Sequence, residues 1–253
     1  MRRFAPLALA VLLALAGCEN TTSDVETGIN PPAAGLIFTG ALTTALLGAE
    51  AAWVVDADAL GELRCPIAEL DSDDLRADYQ GCLPESGLTS ELFNGTLNLT
   101  VPQGTGLFDG TLSALGPDEA AATGSITGSA SRAGDLLSAD VTLGDIAWTE
   151  LRSESPIADG FFDIDGDADE IRVTVDGGTW DRGQGRVYSF WLDDVVLLRG
   201  ELDTCVIPVA GSFRAQRGNV EATIEFSEAA AAEGSVLVTI TGEDEPSSLR
   251  PCG

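Results

Sequence analysis

The chain has 253 residues, with 41 acidic side chains against 13 arginines, no lysine, no histidine and a formal net charge of −28. Such an acidic balance repels nucleic acid and bare anionic surfaces, and it speaks to solubility, divalent cations or a basic partner rather than to fold. Without histidine or lysine there is no Ser-His or Cys-His nucleophile and no Schiff-base amine; GxSxG, HExxH and phosphate-binding glycine loops are also absent, so a catalytic role is not expected.

Arg2 and Arg3 precede an apolar, uncharged run from Phe4 to Ala16. The run is shorter than the ~20 residues a spanning helix needs, so residues 1–17 read as a signal peptide. It closes on Leu15-Ala16-Gly17-Cys18. This resembles the lipobox of bacterial lipoproteins: a branched apolar residue, two small residues and a cysteine. The resemblance covers residues 1–18. It implies diacylation of the Cys18 thiol (palmitate and related chains), removal of the preceding peptide and acylation of the new amino terminus. Glu19, where an Asp in such proteins often signals retention at the inner membrane, favours the outer membrane. The implied partner is a membrane, held through the lipid, and no nucleic acid. The mature chain loses two arginines and no acid, which takes the net charge to −30.

Residues 18–35 read as a flexible tether; fully extended, Glu19 to Gly35 reaches ~60 Å. One domain follows over 36–253. It opens with a helix at Ala41–Leu60, on which Leu42, Leu46, Trp53 and Ala57 share a face, although Gly48 and Trp53-Val54-Val55 disfavour helix. After Cys65 the period becomes two. Leu97, Leu99 and Val101 alternate with polar residues, as do Leu137, Ala139, Val141 and Leu143; Ile171, Val173 and Val175; Val220, Ala222, Ile224 and Phe226; and Val236, Val238 and Ile240. Pro102-Gln103-Gly104, Gly116-Pro117-Asp118, Asp176-Gly177-Gly178 and Arg217-Gly218-Asn219 read as turns between strands. Gly95-Thr96-Leu97, Gly110-Thr111-Leu112 and Gly124-Ser125-Ile126 recur as if on successive hairpin strands. The connections are too short for helical crossovers. The fold class is therefore all-β: an antiparallel meander forming a sandwich or barrel, with one N-terminal helix.

With Cys18 acylated, Cys65, Cys82, Cys205 and Cys252 form an even set suited to two disulfides in an oxidising compartment. Of three connectivities, Cys65–Cys82 with Cys205–Cys252 is favoured, because the first pair brackets a hairpin and the second ties down the C-terminus. The run from Asp163 to Glu170 places Asp163, Asp165, Asp167 and Asp169 on one side of an extended segment. They are candidate calcium ligands, although Ala168 and Thr174 depart from the EF-hand pattern; the other reading is a solvated turn. Asp193-Asp194, beside Tyr188 and Trp191, is the best place for carboxylate hydrolysis, but adjacent strand residues face opposite ways. Trp180, Tyr188, Phe190 and Trp191 read as core, or as an aromatic binding surface. The Asn94 and Asn98 sequons read as turn and strand positions.

These features point to a non-catalytic lipoprotein of the cell envelope with a structural or binding role. Two rivals have structural signatures. A carrier of apolar ligand needs a dry cavity lined by residues such as Leu97, Val141 and Val173. A carboxylate hydrolase needs two acids across a cleft about 5–10 Å apart.

Overall fold

The computed structural model describes residues 28–55, 63–89, 91–117, 120–133, 136–149, 156–167, 170–198 and 207–250. Cys18, Ala57, Asp169, Cys205 and Cys252 lie outside the described residues, so the lipidation site, the second disulfide and one candidate calcium ligand do as well.

The long helix begins ten residues earlier than expected. Helix α1 spans Pro31–Val55, so the segment read as tether is helical from Pro31 onward. Asn30 caps it, its Oδ1 accepting from the Ala33 N–H at 2.9 Å. Pro31 sits in the first turn, where a missing N–H costs nothing. The single apolar face is also corrected: 20 of the 25 residues are buried, distributed all round the helix. Such a helix belongs inside a protein or a membrane. Here 89% of its most apolar window is buried within the sheet described next. Burial on every side explains how Gly48 and Val54 persist in a helix, since packing overrides their weak propensities.

The remainder is one antiparallel meander. Its strands are β1 (Ile67–Asp71), β2 (Asp74–Cys82), β3 (Phe93–Thr100), β4 (Leu107–Pro117), β5 (Ala121–Ala133), β6 (Leu136–Thr149), β7 (Ile157–Gly166), β8 (Glu170–Asp181), β9 (Val187–Leu198), β10 (Ala210–Arg217), β11 (Val220–Glu225), β12 (Val236–Ile240) and β13 (Ser247–Leu249). Each strand pairs with its sequence neighbours, in the order β1 to β13. A short helix, α2 (Glu228–Glu233), joins β11 to β12, capped by Ser227 and by Gly234 in the left-handed region. The all-β expectation holds. The architecture is a single sheet curled round α1, in place of two packed sheets. Apolar residues of β3, β6, β8, β11 and β12 face inward, as their alternation predicts.

One expected turn is something else. Asp176-Gly177-Gly178 lies inside β8, where the registers with both neighbouring strands shift. Gly177 has φ 100°. This is a bulge that bends a long strand, as curling a sheet requires.

The meander has two rims, and α1 runs from one to the other. At the proximal rim lie the 182–186 and 218–219 turns and the 241–246 connection. Gly28, just before α1, packs there on Val220. Farther along, Gly40 lies against Trp180, and Gly48 against Val141 and Ile164. Trp53 ends the path at the far rim beside Arg132, Leu137 and Ile171. Phe38 meets Phe213 edge-on and Phe226 at a tilt, at centroid distances of 5.4 and 4.8 Å.

Candidate functional site

Glu50 is the only charged residue in the 25-residue helix, and it is fully buried. Burying an acid unpaired is costly, so its partners matter. Tyr79 on β2 donates its hydroxyl to Oε1 at 2.7 Å, and Ser86 donates to Oε2 at 2.6 Å. Each carboxyl oxygen thus accepts one short hydrogen bond. Burial pushes the Glu50 carboxyl above its ordinary range, while the bonds from Ser86 and Tyr79 pull it back. Burial, with the negative Glu50 beside it, raises the Tyr79 phenol well above its usual value, so it remains a donor.

The covalent frame explains why Ser86 is in place. Cys65 and Cys82 are disulfide-bonded, as the sequence suggested, with Cα atoms 5.9 Å apart. The segment that leaves Cys82 folds inward. The Glu85 N–H donates to the Cys65 carbonyl at 2.8 Å, and the Glu85 carboxylate accepts from the Arg64 N–H. Ser86, Leu88 and Thr89 are all buried. The Leu88 N–H in turn donates to the Ser86 hydroxyl at 3.3 Å.

Leu88 also lines a small pocket at the end of α1. Its other walls are Ala49, Trp53, Leu137, Ile164 and Ile171, with Arg132 and Asp167 at its edge. The hollow measures about 70 Å³. An engineered cavity that accepts benzene is about 150 Å³. The pocket therefore holds a water-sized or methyl-sized group without rearrangement, and nothing as long as an acyl chain. Glu50 and Ala49 are adjacent on α1, so one helical turn carries both the buried acid and a pocket wall.

The sequence-predicted positions fall elsewhere. Asp163 and Asp165 lie on the outer face of β7, with Asp140 of β6 directly opposite Asp163. Partial burial, then repulsion from Asp165 and Asp140, raises the Asp163 carboxyl. Asp167 turns back into its own hairpin, its carboxylate accepting the Glu170 N–H at 2.9 Å. Among the described residues no three acids converge on one metal position. Asp193 and Asp194 do not face opposite ways. A bulge, with Asp194 at φ 54°, leaves both exposed, and Asp194 pairs with Arg172 at 2.8 Å. Of the aromatic set, Trp180, Tyr188 and Phe190 are core, whereas half-buried Trp191 lies outside under the Arg214 guanidinium at 5.1 Å. Leu97, Val141 and Val173 are buried in the filled interior, with Val141 packed on the helix at Gly48.

Glu50, Tyr79 and Ser86 were missed from the sequence. The available signal was Glu50 itself, one charge in an otherwise uncharged apolar run. No protein-family model, no curated protein and no solved structure matches this chain.

Proposed function

We propose that the protein is a non-catalytic lipoprotein of the cell envelope, held in the outer membrane by acyl chains on Cys18. Its domain serves as a rigid structural or binding module. The observation that carries the choice of module over carrier is the filled interior. Helix α1 occupies the space a lipid would need, and the hollow of about 70 Å³ at its end is too small for an acyl chain. Two or three acyl chains give a durable anchor where one does not, because each buried methylene contributes ~0.8 kcal/mol. The test is expression of the full chain in a Gram-negative host fed labelled palmitate. The label should enter the protein, the protein should fractionate with outer membranes, and Cys18→Ser should abolish both. An unlabelled, freely soluble wild-type chain would overturn the placement. Stoichiometric uptake of a fluorescent fatty acid by the purified protein would replace the module with a carrier.

A further inference from the structure

We propose that the domain stands on the membrane with its proximal rim against the lipid headgroups and its Trp53 pocket turned away from them. This rests on acylation of Cys18.

Chain length makes the first argument. Ten Cα–Cα steps separate Cys18 from Gly28, and fully extended they reach about 33–36 Å. Gly28 is fixed at the proximal rim by its contact with Val220. The far rim lies a helix length away, since 25 residues of α1 rise about 37 Å. Laying the far rim on the bilayer would stretch the tether to its covalent limit, whereas the proximal rim needs none of that extension.

Charge distribution makes the second. The chain as a whole is repelled by an anionic leaflet, so its orientation depends on where the repulsion is least. Asp71, Asp73, Asp74, Asp109, Asp165, Asp167 and Glu170 cluster toward the far rim and outnumber its arginines, Arg76, Arg132 and Arg172. Beside Gly28, two adjacent proximal turns carry Arg182, Arg186 and Arg217. The Arg186 side chain donates to the carbonyls of Gly183 and Arg182, which brings the guanidinium to the tip of its turn. Arg217 lies over the Tyr188 ring at 5.6 Å. Two acids lie within this group: Asp181 accepts the Gly183 N–H of its own turn, and Glu221, opposite Gln216, pairs with Arg214 at 3.9 Å. Val187, 47% exposed, lies between the two turns, and Ile157, 42% exposed, lies beside them on the other strand flanking Asp181. Aliphatic side chains among arginines suit the headgroup region. The exposed acids Glu243, Asp244 and Glu245 occupy the neighbouring 241–246 connection. They tilt the domain so that the β7–β10 side makes the contact.

The test is amide hydrogen exchange on the full, acylated protein in vesicles of phosphatidylethanolamine and phosphatidylglycerol, compared with the same protein in detergent. Residues 182–187 and 217–220 should exchange at least about fivefold more slowly in vesicles. Residues 102–106 and 226–235, at the far rim, should be unchanged. High salt should remove the protection, as should the combined variant Arg182→Glu, Arg186→Glu, Arg217→Glu. Protection of the far rim, or of neither rim in protein that sediments with vesicles, would overturn the orientation while leaving the anchor intact. An N-terminal mass without acyl chains in the same sample would overturn both.

Discussion

Glu50 offers the sharpest test of the physical account. In Glu50→Ala the Tyr79 and Ser86 hydroxyls lose their common acceptor inside the core, at about 1–3 kcal/mol each, with a cavity added. A loss of roughly 3 kcal/mol or more follows. Glu50→Gln is different. The amide oxygen accepts from one hydroxyl, and the other hydroxyl turns to accept from the amide nitrogen, so volume and bonding are nearly preserved. What disappears is the titration. Burial raises the native carboxyl above its unfolded value of 4.5. Between the two values the native state holds the extra proton, so wild-type stability is full below the unfolded value and falls as pH rises through the native one. Each unit of separation corresponds to about 1.4 kcal/mol. Urea unfolding of wild type and Glu50→Gln, followed by tryptophan fluorescence from about pH 4 to pH 8, isolates this group because other titrations cancel in the difference. The wild type should lose ground to the variant as pH rises. A flat difference would mean that Glu50 does not titrate differently in the two states. A wild type that gains with pH would mean that the two hydroxyl donors outweigh burial.

Gly40→Ala drives a methyl into the Trp180 ring, which is fully buried and has nowhere to move. A loss of about 1–3 kcal/mol, read as a lower melting temperature, is expected, and an unchanged melting temperature would mean that α1 does not cross β8 so closely. Replacing Cys65 and Cys82 together by serine opens a link between residues 17 apart in sequence and should cost about 3 kcal/mol in denaturant unfolding. Because Ser86 is held beside that link, the double variant should also narrow the stability gap between wild type and Glu50→Ala, which a double-mutant cycle measures. Asp163→Asn should stabilise slightly at neutral pH, by about 0.5 kcal/mol or less given its exposure, by relieving repulsion from Asp165 and Asp140. The gain should shrink in high salt, as a salt series of melting temperatures would show.

The strands were legible because a half-buried sheet writes its two faces directly into the sequence. Leu137, Ala139, Val141 and Leu143 alternate with polar residues, and all four face inward in β6. The helix was legible as a type of element but not in extent. Asn30-Pro31-Pro32 resembles a Pro-rich linker when read alone, although the same three residues are a capping side chain followed by a proline in the first turn. Its all-round burial could not be read from an amphipathic pattern, since no polar face exists to find. The bulges escaped for a related reason. Asp176-Gly177-Gly178 and Asp193-Asp194 carry turn-like or ambiguous composition, and only the pairing partners decide that the chain continues through them.

The buried acid escaped because its partners lie far from it in sequence. Tyr79 and Ser86 are 29 and 36 residues beyond Glu50 along the chain, and only the curl of the sheet brings them to it. That separation also suggests what the cluster does for the fold. A uniformly apolar helix has little to fix its rotation or depth inside an apolar shell, because sliding by one turn replaces one aliphatic contact with another. A single buried polar side chain with two matched donors removes that freedom, since any other register leaves a carboxyl and two hydroxyls unsatisfied. The disulfide fixes the segment bearing Ser86, Ser86 and Tyr79 fix Glu50, and Glu50 fixes the depth of α1. The position of α1 in turn decides that Trp53 and its pocket reach the far rim and that Gly28 leaves from the proximal one.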